Sequence, residues 1–186
     1  MSLTAIDWLE LWRGLTLALG NGETWVERYI CHLHSRPSER PDPLMDFVLD
    51  DITPQDTAMD VGVGSGRWSI PQARKARQVT AVEPSETMLA IFCQNVAVAN
   101  LSNIEVVLVS WEETSVKPHD VDTCANAIYS SPDFAGFVRK TEQYAWKRCY
   151  LAIRLPLVYG IISGLSLAIY GHRYDSPNAV IAYDAF

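Results

Sequence analysis

The stretch Asp60-Val61-Gly62-Val63-Gly64-Ser65-Gly66-Arg67 sets a carboxylate ahead of three alternating glycines. Glycine permits left-handed backbone and lets a ligand come against the main chain with no Cβ in the way. Apolar residues lead into the run from Thr57, and Trp68-Ser69-Ile70-Pro71-Gln72-Ala73-Arg74 reads as the start of a helix. A strand, a glycine turn and a helix start form one device, because the first N–H groups of a helix have no internal partner and the dipole is positive there. A carboxylate or phosphate suits that end. About 20 positions further on, Glu83-Pro84-Ser85 closes the next predicted strand, and an acidic residue so placed can bridge two ribose hydroxyls. The chemistry outlined is the holding of a nucleoside-bearing ligand.

The dinucleotide fingerprint Gly-x-Gly-x-x-Gly/Ala fails here, since Arg67 stands where Gly or Ala is required. Asp60 to Gly66, with Glu83, instead resembles the first motifs of the class I S-adenosylmethionine-dependent methyltransferases. The resemblance runs from about Asp42 to Arg154. It implies that Asp60 fixes the loop by accepting backbone N–H groups. Gly62 and Gly64 would admit the methionyl part of the cofactor, and Gly66 would pack the helix close to the strand. Glu83, followed by Pro84, would hold the ribose. Met88 would line the adenine pocket or serve as plain core. At the end of the third strand the family commonly carries Asp-Ala, where this chain has Ser110-Trp111. Ser110 or Glu112 would then meet the adenine, and Trp111 would cover the ring. At the end of the fourth, Asn126 would touch the methionyl end, and Tyr129 would face the acceptor or pack. Ser130-Ser131-Pro132-Asp133 does not match the Asp/Asn-Pro-Pro-aromatic run of amino-methyltransferases that act on nucleic acid.

The elements that must position these residues follow from periodicity. Strands are predicted at Thr57–Val61, Gln78–Val82, Ile104–Val109, Asp122–Ile128 and Cys149–Arg154, and helices at Ser69–Arg77, Ser85–Asn100 and Asp133–Lys147. Ser85 and Asp133 are plausible caps. Asp42-Pro43 starts a helix that runs to about Leu49, with Asp42 as cap and Pro43 at its first position. The alternation predicts an α/β fold: a doubly wound, mainly parallel sheet with helices on both faces. Ahead of it, helices at Ile6–Leu19 and Trp25 to about His34, then a proline-rich linker Arg36–Pro41, form an N-terminal helical appendage. The expected division is 1–41 for the appendage and 42–186 for the Rossmann-like domain. The usual sheet of the family has seven strands, and the last two find no counterpart after Arg154. The expectation is a fragment, a truncated relative, or a chain that completes its sheet elsewhere.

The 186 residues carry a net charge of −7, with 48% apolar and 20% charged residues. That composition is globular, and the acidic balance argues against a nucleic-acid footprint. A small-molecule acceptor is therefore expected. The dense basic run Arg74-Lys75-Ala76-Arg77 reads as a solvated helix end. Cys31, Cys93, Cys124 and Cys149 are scattered, which suits a reduced, cytoplasmic protein. Cys31-His32-Leu33-His34 lacks a second ligand cluster, so no metal is expected. Leu155–Tyr170, with Gly160-x-x-x-Gly164, is apolar but short of a membrane span. An apolar last strand at Cys149–Arg154, left at the sheet edge, predicts a homo-oligomer.

Methyl transfer is an in-line displacement at a sulfonium carbon, for which the protein mostly supplies positioning. The expected cofactor is S-adenosylmethionine, leaving S-adenosylhomocysteine. Tyr129, Asp133, His119 and His172 are titratable groups near in sequence, but they form no recognisable constellation, and no base is assigned. Two rival readings stand beside this one: a non-catalytic cofactor binder and a nicotinamide-dependent oxidoreductase.

Overall fold

The structure is a computed structural model that describes residues 7–19, 42–154, 164, 167–169, 171 and 178–184. The second expected helix, the proline linker, the Cys31–His34 run, His172 and all of the 155–170 stretch but residues 164 and 167–169 lie outside the described residues. The elements in chain order are α1 (Trp8–Leu19), α2 (Pro43–Asp50), β1 (Thr57–Val61), α3 (Ser69–Lys75), β2 (Gln78–Glu83), α4 (Glu86–Val98), β3 (Ile104–Leu108), β4 (His119–Ala125), a 3-10 turn (Ile128–Ser130), α5 (Phe134–Tyr144), β5 (Ala145–Ala152) and α6 (Ala179–Asp184).

Local signals start the helices. The Asp42 carboxylate accepts from the Met45 N–H at 3.2 Å, and Pro43 takes the position where a missing N–H costs nothing. The Ser85 hydroxyl accepts from Met88 N–H at 3.3 Å, and Asp133 Oδ1 from Gly136 N–H at 2.9 Å.

Five strands form one all-parallel sheet in the order β3-β2-β1-β4-β5. Central β1 and β2 are buried along nearly their whole length, as continuous apolar strands of a parallel sheet are. Ala58, Val79 and Val121 share one face with Ala73 of α3, Ala76 just after it, and Leu49 of α2. Further along that face Ala81 meets Leu89 and Phe92 of α4. α5 lies against the other face, where Glu142 comes near Cys149.

Several boundaries differ from those expected; β4, for one, begins at His119, ahead of the expected Asp122. β4 ends at Ala125 because Asn126 adopts φ 61, a left-handed conformation that asparagine tolerates and that a strand cannot continue through. α5 stops at Tyr144 and β5 begins at once with Ala145, ahead of the expected Cys149. In the strand register Lys147 reaches the carboxylates of Asp56 and Asp120, and Arg148 reaches Asp51 at 2.8 Å. These long-range pairs outweigh the weak local preference for helix.

The chain divides into two compact units. One holds the sheet: residues 42–127 and 137–152. The other gathers α1, residues 128–136, 153–154 and α6. Its centre is Trp12, fully buried, with Nε1 donating to the Ser131 carbonyl at 3.0 Å. The Trp12 ring stacks on Tyr129 at 6.1 Å and meets Phe134 at 4.6 Å.

Candidate cofactor site

In a sheet of this order the crevice lies beyond the carboxyl ends of β1 and β4, where the strand order reverses. Gly62, Gly64 and Gly66 leave β1 there, all in left-handed conformations. What surrounds them differs. A Cβ on Gly62 would lie 2.1 Å from Ala127 Cβ, and one on Gly66 would lie 2.6 Å from the Phe92 ring. Both are filled by protein. Among the described residues, a Cβ on Gly64 would meet only the Met88 Cε, at 3.4 Å. Among the described residues the main chain at Gly64 is left uncovered, with buried Met88 beside it. The two glycines differ in surroundings: Ala127 occupies the space where a Gly62 side chain would stand. Gly66 makes room for Phe92 of α4 and for Ile70 of α3, the helix that follows it; Ile70 Cδ1 would lie 3.1 Å from a Cβ there.

Glu83 ties the ends of β1 and β2 together. Its Oε2 accepts from the Gly64 N–H at 2.9 Å and its Oε1 from the Ser85 N–H at 3.1 Å. The side chain is buried at 7% exposure. Pro84 is exposed between them.

Asp60 lies beneath the loop. Its Oδ2 accepts from the Ser69 hydroxyl at 2.5 Å, and its Oδ1 is 3.2 Å from the Thr123 hydroxyl. Thr123 in turn accepts from Gln72 Nε2 at 2.8 Å and has the Met59 carbonyl at 3.1 Å. Asp60 therefore joins β1 to β4 and to the start of α3, through the hydroxyls of Ser69 and Thr123 and the backbone N–H of Ser69. Burial pushes its carboxyl up to about 6, Glu83 adds to the rise, and the Ser69 and Thr123 bonds oppose it. Sequence reading missed Ser69, Gln72, Thr123 and Ala127. Only Ser69 carried a local signal, a hydroxyl at the first helical position after the loop.

At the end of β3, Trp111 turns inward. It is 3% exposed and packs against Phe137 and Tyr144, with Lys140 Nζ 4.9 Å over the ring. The expectation that its indole covers an adenine is corrected: the apolar ring is taken up by core beside α5. Lys140 also donates to the carbonyls of Trp111, Glu112 and Thr114 at 2.7, 2.9 and 2.7 Å, which fixes the turn. Ser110 Oγ donates to Glu113 at 3.2 Å, and Glu112 is exposed. Asn126 is exposed on its left-handed turn, its N–H bound to the Ala152 carbonyl at 3.0 Å.

The named titratable groups among the described residues have partners of their own. His119 begins β4, at the amino ends of the strands, with Nε2 2.8 Å from Thr80 Oγ1. Asp133 caps α5. Tyr129 belongs to the second unit, its hydroxyl accepting from the Arg154 N–H and its ring under the Arg154 guanidinium at 4.0 Å. Among the described residues no group of His, Cys, Asp or Glu is arranged to hold a metal ion, and no helix is long and apolar enough to cross a membrane.

Residues 58–144 match the family described as methyltransferase domain. A probable ribosomal RNA small subunit methyltransferase A from Methanosphaera stadtmanae is 28% identical over 94 residues, 48% of this chain and 35% of the relative. A 23S rRNA (uracil(1939)-C(5))-methyltransferase from Photobacterium angustum is 36% identical over 67 residues, 36% of this chain and 30% of the relative. The chain thus spans about a third of the length of the curated relatives it matches. Among solved structures, a coclaurine N-methyltransferase bound to N-methylheliamine and SAH aligns with 80% of this chain and 51% of its own, at TM-score 0.57 and 17% identity, a likeness of fold.

Proposed function

We propose, on the premise that residues 58–144 are a methyltransferase domain of the class I S-adenosylmethionine-dependent type, that the chain binds S-adenosylmethionine beyond the ends of β1 and β2 and passes its methyl group to a small-molecule acceptor. The observation that carries this reading is the conjunction at Gly64: main chain that no described side chain covers, a buried methionine beside it, and the Glu83 carboxylate on its N–H. A nucleoside with a short zwitterionic tail suits that set. The nicotinamide alternative is disfavoured by Arg67, which bonds Asp42 at 2.6 Å where the fingerprint needs a small residue.

In this reading Glu83 takes the ribose hydroxyls, Gly64 and Met88 border the methionyl and adenine parts, and Asp60 holds the loop from below. Ser110 or Glu112 meets the adenine edge, and the Asn126 turn borders the methionyl end. Pro84 is the step in the chain between Glu83 and the Ser85 cap. The bound cofactor supplies an activated methyl group and its own leaving group, so the protein's part is orientation and exclusion of water. No side chain is assigned as base.

A small acceptor is favoured by the net charge of −7 and by where the basic run lies. Arg74, Lys75 and Arg77 stand at the end of α3 and the start of β2, at the opposite end of the sheet from the glycine loop. The names of the two curated relatives favour RNA as the second reading. Incubation with methyl-labelled cofactor and separated extract fractions decides between them. Label in the small-molecule fraction is expected; label in RNA alone would replace that acceptor class, and cofactor binding with label in neither would favour the non-catalytic binder.

The free thiols of Cys93, Cys124 and Cys149 suit a cytoplasmic location. Self-association through β5 accords with Trp146, 69% exposed on that edge strand. Light scattering at micromolar concentration should give a dimer or larger, and a monodisperse monomer would exclude it.

A further inference from the structure

We infer that Glu83 is a loop clamp as well as a ligand group: it closes the glycine loop onto β2 before any cofactor arrives. Gly64 has a left-handed backbone, and among the described residues Met88 Cε is the one neighbour that a Cβ there would meet. Flanking it, Gly62 is pinned by its N–H bond to the Val82 carbonyl at 2.8 Å, and Gly66 by its N–H bond to the Val63 carbonyl at 2.9 Å. Gly64 N–H has no such main-chain acceptor in the loop, and the Glu83 carboxylate supplies one from the neighbouring strand at 2.9 Å. The second oxygen takes the Ser85 N–H at 3.1 Å, which orients the carboxylate and joins it to the cap of α4. Bonds from N–H groups to an ionised acceptor are the stronger kind. A carboxylate oxygen accepts more than one donor, so the two amide bonds do not by themselves bar ribose hydroxyls.

The consequence is that the loop is organised in the free protein. Removing Glu83 weakens ligands that never touch it, because the Gly64 surface is no longer held. This consequence rests on the proposed cofactor reading, whereas the clamp itself does not.

The test is amide hydrogen exchange by NMR on the ligand-free protein, comparing wild type with Glu83→Gln, Glu83→Ala and Glu83→Asp. In the alanine variant the Gly64 and Ser85 amides should exchange about ten- to a hundredfold faster, while Val79 and Ala81 keep their protection. Glu83→Asp retains the charge and the short reach to Ser85 but is one methylene too short for Gly64. It should release Gly64 and spare Ser85. Glu83→Gln keeps one good acceptor and should protect one of the two amides. A 2′,3′-dideoxy analogue of the cofactor should also bind Glu83→Ala more weakly than wild type. Unchanged exchange at Gly64 in all three variants overturns the clamp. Faster exchange with no cofactor binding by wild type keeps the clamp and rejects the cofactor reading.

Discussion

Asp60 and Asp122 stand on neighbouring strands, both buried, at 2% and 0% exposure, and the fold treats them in opposite ways. The register pairs Asp60 with Thr123 and Met59 with Asp122, so strand alternation sends the two carboxyls to opposite faces of the sheet. On the Asp60 side the hydroxyls of Ser69 and Thr123 converge. On the other side neither oxygen of Asp122 has a hydrogen-bond partner among the described residues. Burial raises both, Asp60 to about 6 and Asp122 to about 8. Donors hold the first lower even though Glu83 pushes it up. At neutral pH Asp60 is a charge under the glycine loop and Asp122 a neutral acid inside the sheet. The fold brings donors to one buried carboxylate and, among the described residues, none to the other.

The site side of that contrast breaks most completely at Gly62. Gly62→Ala drives a methyl group into Ala127 and forces alanine into a φ of 75. It should cost about 3–5 kcal/mol, as overpacking joins backbone strain. Thermal unfolding should show the loss. A variant with wild-type stability would mean that the β4 turn does not abut the loop.

The core side is tested through pH. The folded carboxyl of Asp122 is raised, so its contribution to stability is complete below the unfolded value of 3.8 and is lost as pH rises through about 8. Wild type should therefore lose about 2–4 kcal/mol between acid and neutral pH from this group. Asp122→Asn, neutral at every pH, removes that slope. Urea unfolding at about pH 4.5 and about pH 7.5 should show the variant gaining on wild type at the higher pH. A parallel slope in both proteins would mean that Asp122 is ionised in the fold.

The smallest change erodes the contrast from the other end. Ser69→Ala removes the closest donor to Asp60 and makes it more like Asp122. The cost should be about 1–2 kcal/mol at neutral pH. It should shrink on acidification, because the raised folded pKa favours the protonated fold. A loss of the same size at acid pH would point to packing and away from the hydrogen bond to the charge.

What the sequence made legible follows the same division. Asp42, Ser85 and Asp133 act on main-chain groups three residues away, so short spacing reveals them. The glycine loop and Glu83 are likewise parts of one strand–loop–helix–strand unit. Thr123 meets Asp60 across 63 residues, through a strand pairing that no local pattern encodes. Trp111 read as a ring at the mouth of the site because its place in the chain was visible and its side-chain direction was not. Phe137 and Tyr144, which draw it inward, come from a helix much later in the chain. The early start of β5 has the same origin, in carboxylates at 51, 56 and 120 that are far from Lys147 and Arg148 in sequence.

The central claim is a nucleoside cofactor held at the ends of β1 and β2. Calorimetric titration with S-adenosylhomocysteine measures it most directly, with wild type beside Glu83→Ala. Wild type should bind saturably, one ligand per chain, and the variant about 1–3 kcal/mol more weakly, since it loses charge-assisted hydrogen bonds. Folded wild-type protein that takes up no heat at millimolar ligand, or equal affinity in the two proteins, would contradict it.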